Sequence, residues 1–249
     1  MSSRGEFWAL VKHDLKGQKN RKVQLSRQWR LAYAVGVALV IVIVTTYAAV
    51  QTHIDLMDVW LFSFVLAFMT FGVATRMMMN EWKNGTSGWW LTLPVSRTHL
   101  VGAKFVASFI RNVGNIAIVY VCVGLLGLYT MLLQDQWSSH LVTAYLLNGL
   151  KWDALLVLVS PILIACGILF GALRESRLKP AIPLLWVVYG LFWWMLSSHH
   201  GHYLHIDQST ADHAFSAPAS ICVPIFASWV LAYGVIRFSS YLLDRQLAL

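Results

Sequence analysis

The stretch LAYAVGVALVIVIVTTYAAV, residues 31–50, contains no Asp, Glu, Lys or Arg. An α-helix rises about 1.5 Å per residue, so about 20 apolar residues cross a hydrocarbon layer about 30 Å thick. The apolar residues are continuous instead of alternating with polar ones, which favours a helix over the strand of a β-barrel. This stretch therefore predicts a transmembrane helix.

The composition extends this prediction to the whole chain of 249 residues. Hydrophobic residues make up 58% and charged residues only 12%, against about 25% charged in soluble domains, which excludes a soluble fold. Five further apolar runs of sufficient length occupy 59–79, 113–133, 154–173, 181–198 and 219–236. We expect an all-α integral membrane protein with six transmembrane helices, forming a single transmembrane domain over residues 1–249. Within the fourth run, Gly167 and Gly171 form a G-x-x-x-G pattern that is typical of close helix packing.

The basic residues predict the orientation of this domain. Of the 19 Lys and Arg, all but Lys151 fall on one side of the predicted membrane, namely at Arg76 and in 1–30, 80–112, 174–180 and 237–249. Cytoplasmic loops carry such an excess of positive charge, so both termini are expected in the cytoplasm of a multi-pass protein of the cell membrane. The basic residues on the cytoplasmic side account for the net charge of +8, because anionic membrane lipids attract basic residues there. No nucleic-acid partner is needed to explain this charge.

The basic N-terminal segment 1–30 begins with an amphipathic pattern. Phe7, Trp8, Val11 and Leu15 recur at the spacing of one helix face. The pattern predicts an interfacial helix on the inner membrane surface. This helix could serve as an anchor, or as a lever that moves with the first span.

A structured connector is predicted after the second span, in the sequence from Glu81 to Arg97, EWKNGTSGWWLTLPVSR. Asn84-Gly85 favours a turn, Pro94 interrupts a helix, and Ser96 can cap a helix that runs from about Arg97 into span three. The alternative is an ordinary interfacial loop whose tryptophans lie in the aromatic belt.

The order of these residues resembles that of the permease subunits of type-2 ABC exporters. In that family the second span is followed by Glu, Gly-Thr, Leu-Pro-Val-Ser-Arg and a later Ala/Gly-Lys pair. The matching residues here are Glu81, Gly85, Thr86, Leu93, Pro94, Val95, Ser96, Arg97 and Lys104. The charged run that usually precedes Gly-Thr is shorter in this chain, which has Glu81-Trp-Lys-Asn84 instead. The family's amphipathic cytoplasmic helix, six spans and cytoplasmic termini are also similar to the architecture expected here.

The resemblance implies that the connector holds a cytoplasmic coupling helix between spans two and three, which docks on a separate ATP-binding subunit. The implied contact residues are Glu81, Asn84, Gly85, Thr86, Leu93, Pro94, Val95, Ser96, Arg97 and Lys104. It further implies two ATP-binding subunits, ATP and Mg bound to those partners, a second permease copy or a homologous permease, and transport out of the cytoplasm. The sequence has no G-x-x-x-x-G-K-[ST] motif, so we expect neither a cofactor nor enzymatic activity in this chain. The apolar, aromatic-rich spans favour an amphipathic cargo such as a peptide, an antibiotic or a lipid-like molecule.

Two other functions remain open from the residues alone. The chain could be a non-transporting membrane scaffold or sensor, or a protein that handles a metal or cofactor through the outer residues His199, His200, His202 and His205. Imidazoles suit zinc or copper, but their spacing fits no compact metal site, so we expect no metal and no catalytic residues. Residues 206–224 are expected to form either a re-entrant turn or a proline kink.

The predicted orientation can be tested by cysteine labelling. With the native cysteines replaced by serine, we expect Asp207→Cys to react with a membrane-impermeant thiol reagent added to intact cells, because segment 199–218 is predicted to lie outside. Lys179→Cys, on the opposite side, should react only after permeabilisation. Labelling of position 207 only after permeabilisation would contradict the orientation.

Overall fold

The structure, a computed structural model, describes residues 3–16, 26–51, 60, 63, 65–187, 190, 205–206, 215–216 and 222–245. Its helices are α1 (Ser3–Lys16), α2 (Arg27–Gln51), α3 (Val65–Lys83), α4 (Ser87–Thr92), α5 (Arg97–Leu133), α6 (Ser139–Arg174) and α7 (Cys222–Arg245), with a 3-10 turn at Lys179–Ala181. Two short strands, β1 (His205–Ile206) and β2 (Phe215–Ser216), pair antiparallel, with His205 opposite Ser216. The expected helical fold class is confirmed.

Three of the described helices are long and apolar enough to cross a membrane: α5, α6 and the part of α7 from Ile225 to Arg245. Helix α2 contains a further apolar segment, Leu31–Tyr47. Helix α3 overlaps the predicted span 59–79, whereas most of the predicted span 181–198 lies outside the described residues. These lengths and compositions support a membrane protein.

Helix α6 is longer than the predicted span 154–173. It begins at Ser139 and contains 36 residues, which gives it a length of roughly 54 Å at 1.5 Å per residue. Residues 139–153 include four leucines and no proline, so nothing in that segment stops the helix. The hydropathy of the sequence marked the apolar part of this helix and not its beginning.

Helices α3 and α6 approach each other closely at two glycines. A Cβ atom on Gly167 would lie 2.6 Å from the carbonyl oxygen of Phe71, and one on Gly171 would lie 2.7 Å from Cβ of Met78. The Thr75 hydroxyl donates a hydrogen bond to the carbonyl oxygen of Gly167, 3.1 Å away. The G-x-x-x-G pattern therefore marks a real packing surface, in which the missing side chains let the two backbones meet.

The interior has two main apolar clusters, which lie toward opposite ends of the bundle. One surrounds Trp60 and Tyr145, whose ring centroids are 5.1 Å apart. The other lies at the C-terminal end of α3 and joins residues of five helices: Ala74, Met78, Trp90, Leu100, Val101, Ile164, Ile168, Ala172 and Leu243. Because Trp90 belongs to α4, this second cluster anchors the connector to the bundle.

Helix α1 packs on the bundle with most of the face that the sequence assigned to the membrane surface. Val11 is fully buried in a cluster with Met77, Ala103 and Ala107, and Phe7 and Leu15 pack against the same cluster. Trp8 is 48% exposed. The difference from the expectation has a physical reason: the small side chains of α5 leave space in which an apolar stripe is buried by protein instead of lipid.

The glycine contacts generate a testable prediction. Gly167→Ala forces a Cβ atom against the backbone of α3, and overpacking of this kind lowers the free energy of unfolding by about 1–3 kcal/mol. Gly234→Ala in α7 is the control, because a Cβ atom there has no neighbour within 4 Å. Thermal unfolding in detergent should show a lower melting temperature for Gly167→Ala alone. Equal melting temperatures would contradict the close packing.

Candidate functional site

The connector begins with a turn that ends α3 at Lys83. Gly85 has a φ of +71°, a conformation that glycine adopts without steric cost. Its N–H donates to the carbonyl oxygen of Trp82 at 3.1 Å, and the N–H of Thr86 donates to that of Glu81 at 2.9 Å. These two bonds form a Schellman motif, so the turn predicted at Asn84-Gly85 is confirmed.

A short helix and a second break follow this turn. Helix α4 covers Ser87–Thr92 and is followed by a bend at 93–95. The Ser96 hydroxyl accepts a hydrogen bond from the N–H of His99 at 3.3 Å, and α5 begins at Arg97. The structure thus confirms the predicted helix, break and helix, including the capping role of Ser96.

The Lys104 ammonium group lies at the centre of the site. Its Nζ is 3.0 Å from Oε1 of Glu81 and 3.3 Å from Oδ1 of Asp14, and it lies 5.0 Å from the centre of the Trp90 ring. Only 1% of its side chain is exposed. One buried charge therefore contacts residues of four helices: Asp14 of α1, Glu81 of α3, Trp90 of α4 and its own helix α5.

Glu81 uses both carboxylate oxygens in this site. While Oε1 pairs with Lys104, Oε2 accepts a hydrogen bond from the Thr86 hydroxyl at 2.6 Å. Burial raises the pKa of Glu81, but the Lys104 ammonium group and the Thr86 hydroxyl favour the ionised carboxylate. These contacts outweigh burial, so the pKa of Glu81 lies below its ordinary value of 4.5. Glu81 is thus ionised at neutral pH. The stabilisation from its pairing is present above the ordinary pKa and is lost as the pH falls through the lowered one.

The ten residues predicted for the connector contact divide into two groups by burial. Glu81 and Lys104 are 3% and 1% exposed and face each other. The remaining residues are exposed or half-buried: Asn84, Gly85, Pro94 and Ser96 are exposed, and Thr86, Leu93, Val95 and Arg97 are half-buried. The buried ion pair of Glu81 and Lys104 stabilises the connector. The other eight residues include those on the accessible surface of the connector.

Asp14 and Trp90 are members of the site that the sequence did not single out for it. Asp14 lies 90 residues from Lys104 in the chain, and its only local signal is its position on the polar side of the predicted α1. Trp90 is 4% exposed and contacts Trp82, with ring centroids 5.9 Å apart. Their roles depend on tertiary contacts.

The candidate metal ligands are largely outside the described part of the chain. His199, His200 and His202 are not among the described residues, and His205 lies in β1. In the described ranges, no group of three or more His, Cys, Asp or Glu could hold a metal ion.

Long apolar helices, and a connector held by buried contacts, define a predominantly helical membrane protein. A sequence model of the family described as ABC-2 family transporter protein matches residues 18–192, a range that contains α2 through α6 and the whole connector. The chain therefore belongs to the ABC-2 transporter family, whose members are membrane transport components, and the resemblance noted in the sequence is confirmed. No curated protein and no solved structure matches the chain.

Removal of the Lys104 charge tests its central place. Lys104→Met leaves two carboxylates at the site without their cation, and breaking a buried ion pair in this way costs about 3–5 kcal/mol. We expect a marked fall in the thermal stability of the purified protein. Lys83→Met, at an exposed lysine near the end of α3, should have little effect.

A double variant separates the loss of charge pairing from the loss of packing. Adding Glu81→Gln to Lys104→Met removes one of the two unpaired carboxylates, so the double variant should be more stable than Lys104→Met alone. If Lys104→Met were as stable as Lys83→Met, the ion pairs would not hold these helices together.

Proposed function

We propose that this chain is the permease subunit of an ATP-driven exporter, with six transmembrane helices and both termini in the cytoplasm. Membership of the ABC-2 transporter family supports a transport role. The distribution of Lys and Arg supports the orientation. The apolar helices α5, α6 and α7 support the membrane-spanning architecture.

The observation that carries the proposal is the buried contact between Lys104 and three neighbouring helices. Helix α4 has six residues, too few to be stable by itself. The shared apolar cluster and the Lys104 contact to Trp90 hold it against α3 and α5. A displacement of α4 would therefore be transmitted to α1, α3 and α5 together.

The proposed mechanism converts ATP binding on a partner into a movement of these helices. Two ATP-binding subunits, which carry ATP and Mg, close on each other and push on the connectors of two permease copies. The spans then shift between inward-facing and outward-facing arrangements by rigid-body movement. Cargo with an amphipathic character, such as a peptide, an antibiotic or a lipid-like molecule, fits the apolar and aromatic composition of the spans.

The burial of the connector residues suggests how the work is divided among them. Asn84, Gly85, Pro94 and Ser96 are exposed and would contact the ATP-binding subunit. Glu81 and Lys104 are too deeply buried for such a contact and would act as positioning residues. Arg97, at the start of α5, would contribute at the edge of the same surface.

Co-purification tests the proposal. From its native membrane in mild detergent, the tagged chain should retain a protein with a Walker A sequence, and the complex should hydrolyse ATP. Pro94→Arg places a bulky charge on the exposed connector surface and should reduce retention of that protein by at least about tenfold, as expected for a disrupted interface.

Pro180→Arg provides the matched control, because Pro180 is also exposed but belongs to the turn after α6. It should retain the ATP-binding protein as the unmodified chain does. The absence of any ATP-binding protein from the unmodified complex would contradict the proposed function. Equal retention by the two proline variants would contradict the assigned contact surface alone.

A further inference from the structure

A groove of about 690 Å³ lies between the connector and the last turns of α7. One wall consists of residues 93–98, which include Pro94 and Arg97. The other wall is formed by Arg237, Ser240, Tyr241 and Asp244. The groove is therefore continuous with the exposed connector surface and extends it onto α7.

The two walls share one packed base. Leu243 of α7 is 2% exposed and belongs to the same apolar cluster as Trp90 and Leu100, and Leu93 and Val95 pack against that cluster. On the α7 side, the Ser240 hydroxyl donates to the carbonyl oxygen of Ile236 at 2.9 Å. Because both walls are fixed by the same buried side chains, the groove is formed before anything binds to it.

The charges of the groove favour an acidic occupant. Among the described residues that line the groove, the charged side chains are Arg97 on the connector wall and Arg237 and Asp244 on the α7 wall, so positive charge is in excess. The guanidinium group of Arg237 lies 5.4 Å from the centre of the Tyr233 ring, and its Nε donates to the Tyr233 hydroxyl at 2.9 Å. This contact orients the group and uses one of its five donors, so the others can bind a carboxylate.

We infer that this groove is a second contact for the ATP-binding subunit, and that an acidic segment of that subunit binds Arg237 on the α7 wall. The inference rests on the proposed function. The volume of the groove is within the range of about 300–1,000 Å³ that is typical of binding pockets. A groove of this size suits several side chains better than a single ion. It lies on the basic side of the bundle, where the charge pattern predicts the cytoplasm.

This contact would give α7 a direct part in coupling. Helix α7 lies beyond residues 18–192, the range that matches the family model. It packs against both α5 and α6. An ATP-binding subunit held between the connector and α7 would move both sides of the bundle in the same step.

Photocrosslinking in the intact complex tests the inference. A photoreactive benzoylphenylalanine replaces Tyr241, which lines the groove, or Phe238, which does not. The two positions are matched, because both are aromatic residues of α7 and are 49% and 45% exposed. A third variant with the same group at Pro94 reports on the connector itself.

The expected result is a crosslink from position 241, but not from 238, to a protein that mass spectrometry identifies by its Walker A sequence. A crosslink from position 94 without one from 241 would overturn this inference and leave the proposed function intact. The absence of a crosslink from both position 94 and position 241 would overturn the inference and the proposed function together. A product at 241 that contains only lipid, or a second copy of this chain, would also overturn the inference.

A charge reversal provides an independent readout in the same complex. Arg237→Glu should weaken retention of the ATP-binding subunit by about tenfold or more, as expected when a charge that faces a partner carboxylate is reversed. Arg177→Glu is the control, because Arg177 is also an exposed arginine but lies in the turn after α6 and does not line the groove. It should change retention less than about twofold. Equal effects of the two reversals would contradict a specific contact at Arg237.

Discussion

The buried ammonium group of Lys104 is the constraint on which the connector end of the structure depends. A charge with 1% of its side chain exposed is costly to remove from water unless oppositely charged groups surround it. Glu81 and Asp14 supply two carboxylates, and Trp90 supplies the face of an aromatic ring. These partners belong to three other helices, so the arrangement that satisfies Lys104 also fixes α1, α3 and α4 relative to α5.

The rest of the connector follows from this constraint. The Schellman turn at Gly85 brings Thr86 back toward Glu81, where its hydroxyl binds the second carboxylate oxygen. Trp90 closes the site from α4 and joins the apolar cluster that reaches Leu243 of α7. Next to Asp14, at the C-terminal end of α1, Arg111 donates to the carbonyl oxygen of Leu15 at 3.1 Å, which stabilises the helix end. A small number of buried polar contacts thus joins four helices.

Local sequence signals predicted the parts of this structure that depend on neighbouring residues. Asn84-Gly85, Pro94 and Ser96 gave the turn, the break and the cap, because each acts within a few residues of its own position. The glycine pair at 167 and 171 predicted a surface of close approach, because residues four apart lie on one face of a helix, but it did not identify α3 as the partner. The side-chain partners of Lys104 could not be predicted in this way. Asp14 and Lys104 are separated by 90 residues in the chain, and no periodicity of the sequence indicates such a pair. The amphipathic pattern of α1 likewise could not distinguish a lipid surface from the apolar surface of α5, since both bury the same side chains.

The central claim is that α1 and the connector move as one body, and a distance measurement between them tests it most directly. Spin labels at Lys12→Cys on α1 and Gly88→Cys on α4, both at exposed positions, can be placed in a chain whose native cysteines are replaced by serine. Double electron–electron resonance on the complex with the ATP-binding subunit, with and without trapped nucleotide, should give the same distance distribution in both states. A nucleotide-dependent change in that distance would show that α1 moves independently of the connector and would contradict the claim.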